Sequence, residues 1–232
     1  MIERFSIAAT AAQLASRFEV DEPVSFHARY NISPAQLVPV ITANDNRGFS
    51  FFYWGLPPAQ AKNNSVAEKL INVRVESISE KPVLKKNLNK SRCIVPLDGF
   101  FTWKKAGKKT LIPWRFGTEG NVLLSMPALW EEYEDTEGNT VHSFMIITQT
   151  ATDHVEEITD RMPVLFTKKE EAGWLSIGSS EQELLNLLQL KQPMKLVGHA
   201  VSPRLNDPTF DRPSLILPTQ PADQFGNLTL FD

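Results

Sequence analysis

Apolar residues in this chain fall into short runs rather than long periodic stripes. FSFFYWGL (49–56), RCIVPLDGFFTW (92–103), NVLLSMPALWEEY (121–133) and HSFMIITQT (142–150) are rich in β-branched and aromatic residues and predict strands. Turn signals lie between them at Asn46-Arg47-Gly48, Lys105-Ala106-Gly107 and Glu137-Gly138-Asn139. Three helix starts carry a hydroxyl followed three residues later by Gln or Glu: Thr10 with Gln13, Thr167 with Glu170, and Ser180 with Glu183. The last opens ELLNLLQL, in which Leu184, Leu187 and Leu188 share a helical face. Further helices are expected near 66–71 and 152–159. Strands with interspersed helices, and no regular βαβ alternation, predict an α+β fold. After Pro218 the polar, turn-prone run PTQPADQFGN predicts a loose tail, 219–232, on a domain spanning 1–218.

Composition narrows the function classes. The 232 residues are 42 % apolar and 22 % charged, an ordinary balance for a globule with a sizeable core. A net charge of −3 argues against indiscriminate coating of nucleic acid but leaves room for a local basic groove. One cysteine, Cys93, excludes an intrachain disulfide and points to a reducing compartment. The start MIERFSIAATAAQ lacks a signal-peptide run, and no stretch approaches a membrane span. The expected location is therefore the cytoplasm, with no membrane partner. GxGxxG, P-loop, HExxH, GxSxG and paired CxxC motifs are absent, and His27, His142, His154 and His199 lack metal-ligand spacing. Neither cofactor nor metal is expected.

More specific are several longer segments. They are Arg4-Phe5, Tyr30-Asn31-Ile32-Ser33-Pro34, Trp54-Gly55-Leu56, Asn72-Val73-Arg74-Val75-Glu76, RCIVPLDGFFTW, Ala128-Leu129-Trp130-Glu131 and Asp160-Arg161-Met162-Pro163. In identity, order and spacing they resemble the SOS response-associated peptidase (SRAP) family from residue 1 to about residue 218. The resemblance implies one α+β domain with a barrel-like, mostly antiparallel set of strands flanked by helices. It also implies capture of abasic sites in single-stranded DNA. Members of that family begin Met-Cys-Gly-Arg, and removal of Met exposes a Cys whose amine and thiol close a thiazolidine on the sugar aldehyde. A Glu in the DGF-aromatic-Glu-Trp segment and a His before the Arg-Met-Pro segment assist proton transfer.

This chain departs from that pattern at each reactive group. Position 2 is Ile2, the Glu position is Thr102 and the His position is Thr159. Ile2 has no thiol, and its bulk is expected to keep Met1 in place. A Thr hydroxyl is no general acid or base near neutral pH. Asn72, the family's sugar-holding residue, is retained. It could position a sugar, orient the chain start or cap a turn. Cys93, in an apolar strand, reads as a buried small hydrophobe rather than a substitute nucleophile. His154 is out of helical phase with Thr159.

The resemblance assigns DNA contacts to Arg4, Asn31, Pro34, Trp54, Asn72, Arg74 and Arg161. Arg74 and Arg161 suit phosphate clamps, because a guanidinium donates bidentately. Each could instead pair with a carboxylate such as Glu76 or Asp160. Trp54 and Pro34 match the family's wedge at a single-strand to duplex junction, whereas FFYWGL also reads as core. The run Lys104-Lys105-Ala106-Gly107-Lys108-Lys109 reads as a solvated hairpin tip. At the chain end, Asn227-Leu228-Thr229-Leu230-Phe231 is similar to the peptide that docks on the bacterial sliding clamp, with Leu228, Leu230 and Phe231 as apolar anchors. They could equally pack back as a final strand. The leading functional expectation is a degenerate relative that binds single-stranded or junction DNA without the family's crosslink. The alternatives are a residual abasic-site lyase or peptidase acting through other residues, or a protein-interaction module without DNA binding.

Overall fold

The computed structural model describes residues 2–56, 71–107, 109–135, 137–189 and 195–228. The chain is α+β, as the sequence predicts. Five strands close a barrel: β3 (Leu37–Thr42), β4 (Ser50–Trp54), β6 (Arg92–Leu97), β9 (Leu124–Glu134) and β10 (Thr140–Thr150). Only the β10–β4 pairing in that ring is parallel. Two short strands extend it beyond β10, namely β5 (Asn72–Arg74) and β11 (Arg161–Pro163). A second, antiparallel sheet has the order β12 (Leu196–Ala200), β8 (Leu111–Thr118), β7 (Gly99–Lys105), β1 (Arg4–Ile7) and β2 (Arg29–Ile32).

Alternation along the strands explains the packing. In β6, Cys93, Val95 and Leu97 join one core, with Val38, Val40, Met126, Phe144 and Ile146. Ile94 faces the other way, into a core with Met145, Ile147, Leu84, Trp174, Leu184 and Leu188. That second core lies under helices α2 (Pro82–Lys90), α3 (Lys168–Leu175) and α4 (Glu181–Gln189). Strands buried on both faces lack the polar alternation of a half-solvated sheet, so they appear in the sequence as continuous apolar runs. The buried Arg92 guanidinium joins two helix ends, donating to Leu88 O (2.8 Å), Asn89 O (3.0 Å), Trp174 O (2.8 Å) and Ser176 O (2.7 Å). Carbonyls at helix C-termini lack intrahelical donors and carry negative partial charge, so a cation there is favoured.

All three hydroxyl–Gln/Glu signatures form caps. Thr10 and Gln13 bond reciprocally at the start of α1 (Ala11–Phe18), Thr167 and Glu170 at α3, and Ser180 and Glu183 at α4. The expectation near 152–159 is corrected: that stretch holds only a 3-10 turn at Asp153–Val155. The expected helix near 66–71 falls, up to residue 70, outside the described residues.

The run RCIVPLDGFFTW is two strands, not one. It breaks at Asp98, where the chain leaves the barrel as β6 and enters the open sheet as β7. Asp98 accepts from Arg115 Nη2 at 2.6 Å and from the Ala8 amide at 2.9 Å, and its own amide donates to Ser6 O at 3.0 Å. The Arg115 and Asp98 side chains are only 2 % and 3 % exposed. Gly99 and Gly117 make room for this pair, because a Cβ on Gly99 would lie 2.6 Å from the Arg115 guanidinium. Removing the Asp98 carboxylate leaves the Arg115 guanidinium charged and buried without a counter-charge, bonded only to Asn121 Oδ1 and a backbone carbonyl. Asp98→Ala is therefore expected to destabilise the protein by about 3–5 kcal/mol, measured by urea unfolding, whereas a loss of under about 1 kcal/mol, the size of an exposed pair, would show that the corner does not depend on the ion pair.

Candidate functional site

The chain start and the loop before β11 meet at one cavity. β1 lies antiparallel on β7 with Arg4 opposite Phe101, so continuing the register brings Glu3 level with Thr102. β5 and β11 both lie on β10, with Asn72 opposite Ile146 and Arg161 opposite Thr150. A polar cavity of about 610 Å³ is lined by Arg4, Thr102 and Thr159, with Glu3, Lys104, Lys105, Leu111, Glu157, Asp160 and Asn206. Two of the three substituted positions thus face one space. The third is adjacent: Ile2 is fully buried in the main core, and Asn72 Nδ2 donates to its carbonyl at 2.7 Å. Of the alternatives open to Asn72, the structure realises orientation of the chain start.

The cavity offers little reactive chemistry at those positions. Ile2 contributes hydrocarbon, and the hydroxyls of Thr102 and Thr159 neither take nor give a proton near neutral pH. Its charge is of mixed sign, with Arg4, Lys104 and Lys105 set against Glu3, Glu157 and Asp160. Arg4 is half-buried, with Nη1 on Glu3 O at 2.8 Å and a buried Nε that has no partner among the described residues. Burial lowers the pKa of its guanidinium, with Glu3 opposing the shift. Arginine nevertheless remains charged, so Arg4 keeps donors for an anion. Asn72 Oδ1 is a second buried orphan.

Several expected DNA contacts are corrected by their placement. Trp54 is 0 % exposed, packs edge-on against Phe5 at 5.0 Å and donates Nε1–H to Ile71 O at 2.8 Å, leaving no ring face for a base. Asn31 is also buried. Its Nδ2 lies 3.2, 2.9 and 3.0 Å from the carbonyls of Leu205, Asp207 and Phe210, tying β2 to the C-terminal turns. Arg161 grips Glu76 with both Nη atoms, at 2.8 and 3.0 Å, and also donates to Thr148 O at 2.6 Å. Both Nη atoms are thus engaged within the protein, the carboxylate-pair alternative, while the buried Nε has no partner among the described residues. Pro34 is half-buried in the turn between β2 and β3, where Ala35 N donates to Trp54 O at 2.8 Å. Arg74 alone stands exposed at the end of β5 without a side-chain hydrogen bond among the described residues.

Other candidates resolve simply. Cys93 is fully buried, and burial pushes its thiol pKa well up, the opposite of a reactive thiolate. His154 is exposed and lies 3.2 Å from Glu157. Among the described residues no group of His, Cys, Asp and Glu could hold a metal, and no helix is long and apolar enough to cross a membrane. The tail is not loose throughout. Thr219 N donates to Ala200 O, and residues 222–228 form a hairpin that leaves Leu228 exposed. Leu230 and Phe231 lie outside the described residues. The sequence reading did not single out Glu3, Glu157 or Asn206. Only the β1–β7 register and the turn at 203–206 bring Glu3 and Asn206 to the cavity.

The model of the family described as SOS response associated peptidase (SRAP) matches residues 1–208. The abasic site processing protein YoqW of Bacillus subtilis is 33 % identical over 221 residues, covering 93 % of this chain and 99 % of its own. The abasic site processing protein HMCES of Rattus norvegicus is 25 % identical over 238 residues, covering 85 % of this chain and 67 % of its own. A crystal structure of a Bacteroides thetaiotaomicron protein superposes with a TM-score of 0.80 at 25 % identity, covering 93 % of this chain and 99 % of that one.

The Glu76–Arg161 pair has a pH signature. Its hydrogen bond to Arg161 holds the Glu76 carboxyl below the ordinary carboxylate range. A depressed folded-state pKa means stability that is present in full above the unfolded-state value, about 4.3, and lost as the pH falls through the folded-state value. Glu76 is half-exposed, so Glu76→Gln should cost less than about 1 kcal/mol at pH 7. Thermal unfolding should show the gap between the two chains closing as the pH drops below about 4; a gap that stays constant would contradict the pairing.

Proposed function

This chain belongs to the SRAP family, and on that premise we propose that it serves the DNA-damage response by binding single-stranded or abasic-site-containing DNA without covalent capture. Relatives named as abasic site processing proteins support such DNA as the ligand. The observation that carries the non-covalent reading is position 2. Asn72 still holds that residue by its carbonyl, but the residue is a buried isoleucine. A thiazolidine needs a thiol and an amine on one residue, and Ile2 supplies no thiol. Thr102 and Thr159 remove the proton-transfer groups that the family pattern places beside it.

The remaining features favour non-covalent attraction. Arg4, Lys104 and Lys105 line the cavity and Arg74 stands exposed, a set suited to phosphate oxygens. For docking on a sliding clamp, the supporting observation is that Leu228 stays 68 % exposed rather than packing back on the domain.

Restoring the missing groups tests the reading. Ile2→Cys alone should gain little crosslinking to abasic single-stranded DNA. Ile2→Cys with Thr102→Glu and Thr159→His should recover part of it, because groups that act as a unit are strongly non-additive. A triple variant that binds no DNA in a gel shift would contradict the proposal. Separately, Arg74→Ala should weaken binding evenly across base sequences and flatten the salt dependence by roughly 0.7, the single-strand slope per phosphate. Titration by fluorescence anisotropy at several salt concentrations measures both, and an unchanged slope would remove Arg74 from the DNA path.

A further inference from the structure

The family match ends at residue 208, yet the chain continues past it in a built feature. Ala222 bridges Leu228, Asp223 N donates to Asn227 O at 2.9 Å, and Gly226 N donates to Asp223 O at 2.9 Å. The Asp223 carboxylate fixes the loop by accepting from the amides of Phe225 (2.9 Å) and Asn227 (2.8 Å) and from Asn227 Nδ2 (3.0 Å). Gly226 sits at φ 88°, a left-handed conformation that glycine adopts without strain. The Gln224 side chain fastens the hairpin to the domain. Gln224 Nε2 donates to Lys109 O at 2.7 Å, and Gln224 Oε1 accepts from Leu111 N at 2.8 Å.

That fastening sets the hairpin against Leu111, which lines the candidate cavity together with Lys105, Thr102 and Thr159. Phe225 follows Gln224 by one Cα step of about 3.8 Å. Its ring is 80 % exposed. An ordered loop that holds a large aromatic in water gains nothing in the free protein from that placement. A flat apolar surface beside phosphate-binding cations is the combination that single-stranded nucleic acid recognises. Cations hold the backbone, and an aromatic ring takes the face of any base. Lys105 and Lys109 are exposed cations at the β7–β8 turn on which Gln224 is seated.

We propose that Phe225 is a stacking platform for a nucleobase flanking the nucleotide held at the cavity, and that the 222–228 hairpin is a DNA-binding element of this chain. The proposal rests on the DNA-binding reading above. It identifies the part of the ligand read at the rim as an unpaired base, whatever its sequence. A protein partner would use the same exposed ring without regard to bases, and the test separates the two.

The test is anisotropy titration of the full chain against two single-stranded oligonucleotides. Both carry one central tetrahydrofuran abasic analogue. One has ordinary bases on either side, and the other has tetrahydrofuran at the flanking positions as well. Phe225→Ala should weaken binding of the first about 5- to 150-fold, the range of one base–aromatic stack, and leave binding of the second unchanged. Phe225→Trp should restore affinity for the first, and its indole fluorescence should be quenched on binding relative to the native chain. The ring is exposed, so neither variant should shift the unfolding midpoint. If the native chain binds and Phe225→Ala binds both oligonucleotides equally well, the platform is refuted while the DNA-binding reading stands. An equal loss on both oligonucleotides would also refute it, because the ring would then act without a base. If the native chain binds neither, the DNA-binding reading falls and the platform with it.

Discussion

The buried Asp98–Arg115 pair is the constraint on which the arrangement of both sheets depends. It sits at the single residue where the chain crosses from barrel to open sheet, and it ties that corner to β1 through Ser6 and Ala8. β1 and β7 begin their pairing beside it, at Ser6 opposite Gly99. Their register then carries Arg4 and Thr102 outward to the cavity. A shift of one residue in that pairing would turn the β1 side chains to the other face, taking Phe5 and Ile7 out of the core. A corner held by a buried, charged pair favours one register. Hydrocarbon at the same place would be less selective.

The cavity is arranged beside the chain start. Asn72 holds the carbonyl of residue 2, and the loop before β11 brings Thr159 to the space that Thr102 also faces. Arg4 Nε, on a residue lining the cavity, and Asn72 Oδ1 lack hydrogen-bond partners among the described residues. Buried groups without partners cost stability, and a bound ligand that supplies partners recovers it. The proposed role uses the scaffold for recognition without a covalent step. In that reading the hairpin beyond the family's boundary adds contact to the DNA.

Much of the fold was legible in the sequence. The three capping boxes, the strand runs and the α+β class rest on local chemistry, which the sequence displays directly. The break at Asp98 was marked only by the Asp98-Gly99 dipeptide, because both halves of RCIVPLDGFFTW are buried and the apolar pattern runs on across it. The site was legible in part. Ile2, Thr102 and Thr159 were identified by resemblance; Thr102 and Thr159 line one cavity, and Ile2 lies in the core beside it. Trp54, Asn31 and Arg161 were harder, because the same residue types serve a core, a loop tie and an ion pair as well as DNA. Only the partners distinguish these roles: Ile71 O for Trp54, three carbonyls for Asn31, and Glu76 for Arg161. The hairpin at 222–228 read as tail because its order comes from Asp223 and Gln224 side chains rather than from an apolar pattern.

The central claim is that this chain holds abasic DNA without bonding to it. The most direct measurement is a gel shift on abasic single-stranded DNA run in parallel with borohydride trapping of the same mixtures. The account predicts a shifted complex at low salt that dissociates in denaturant and leaves no trapped species. A borohydride-trapped or heat-stable conjugate would show that an amine of this chain still attacks the sugar and would contradict it, as would the absence of any shifted complex.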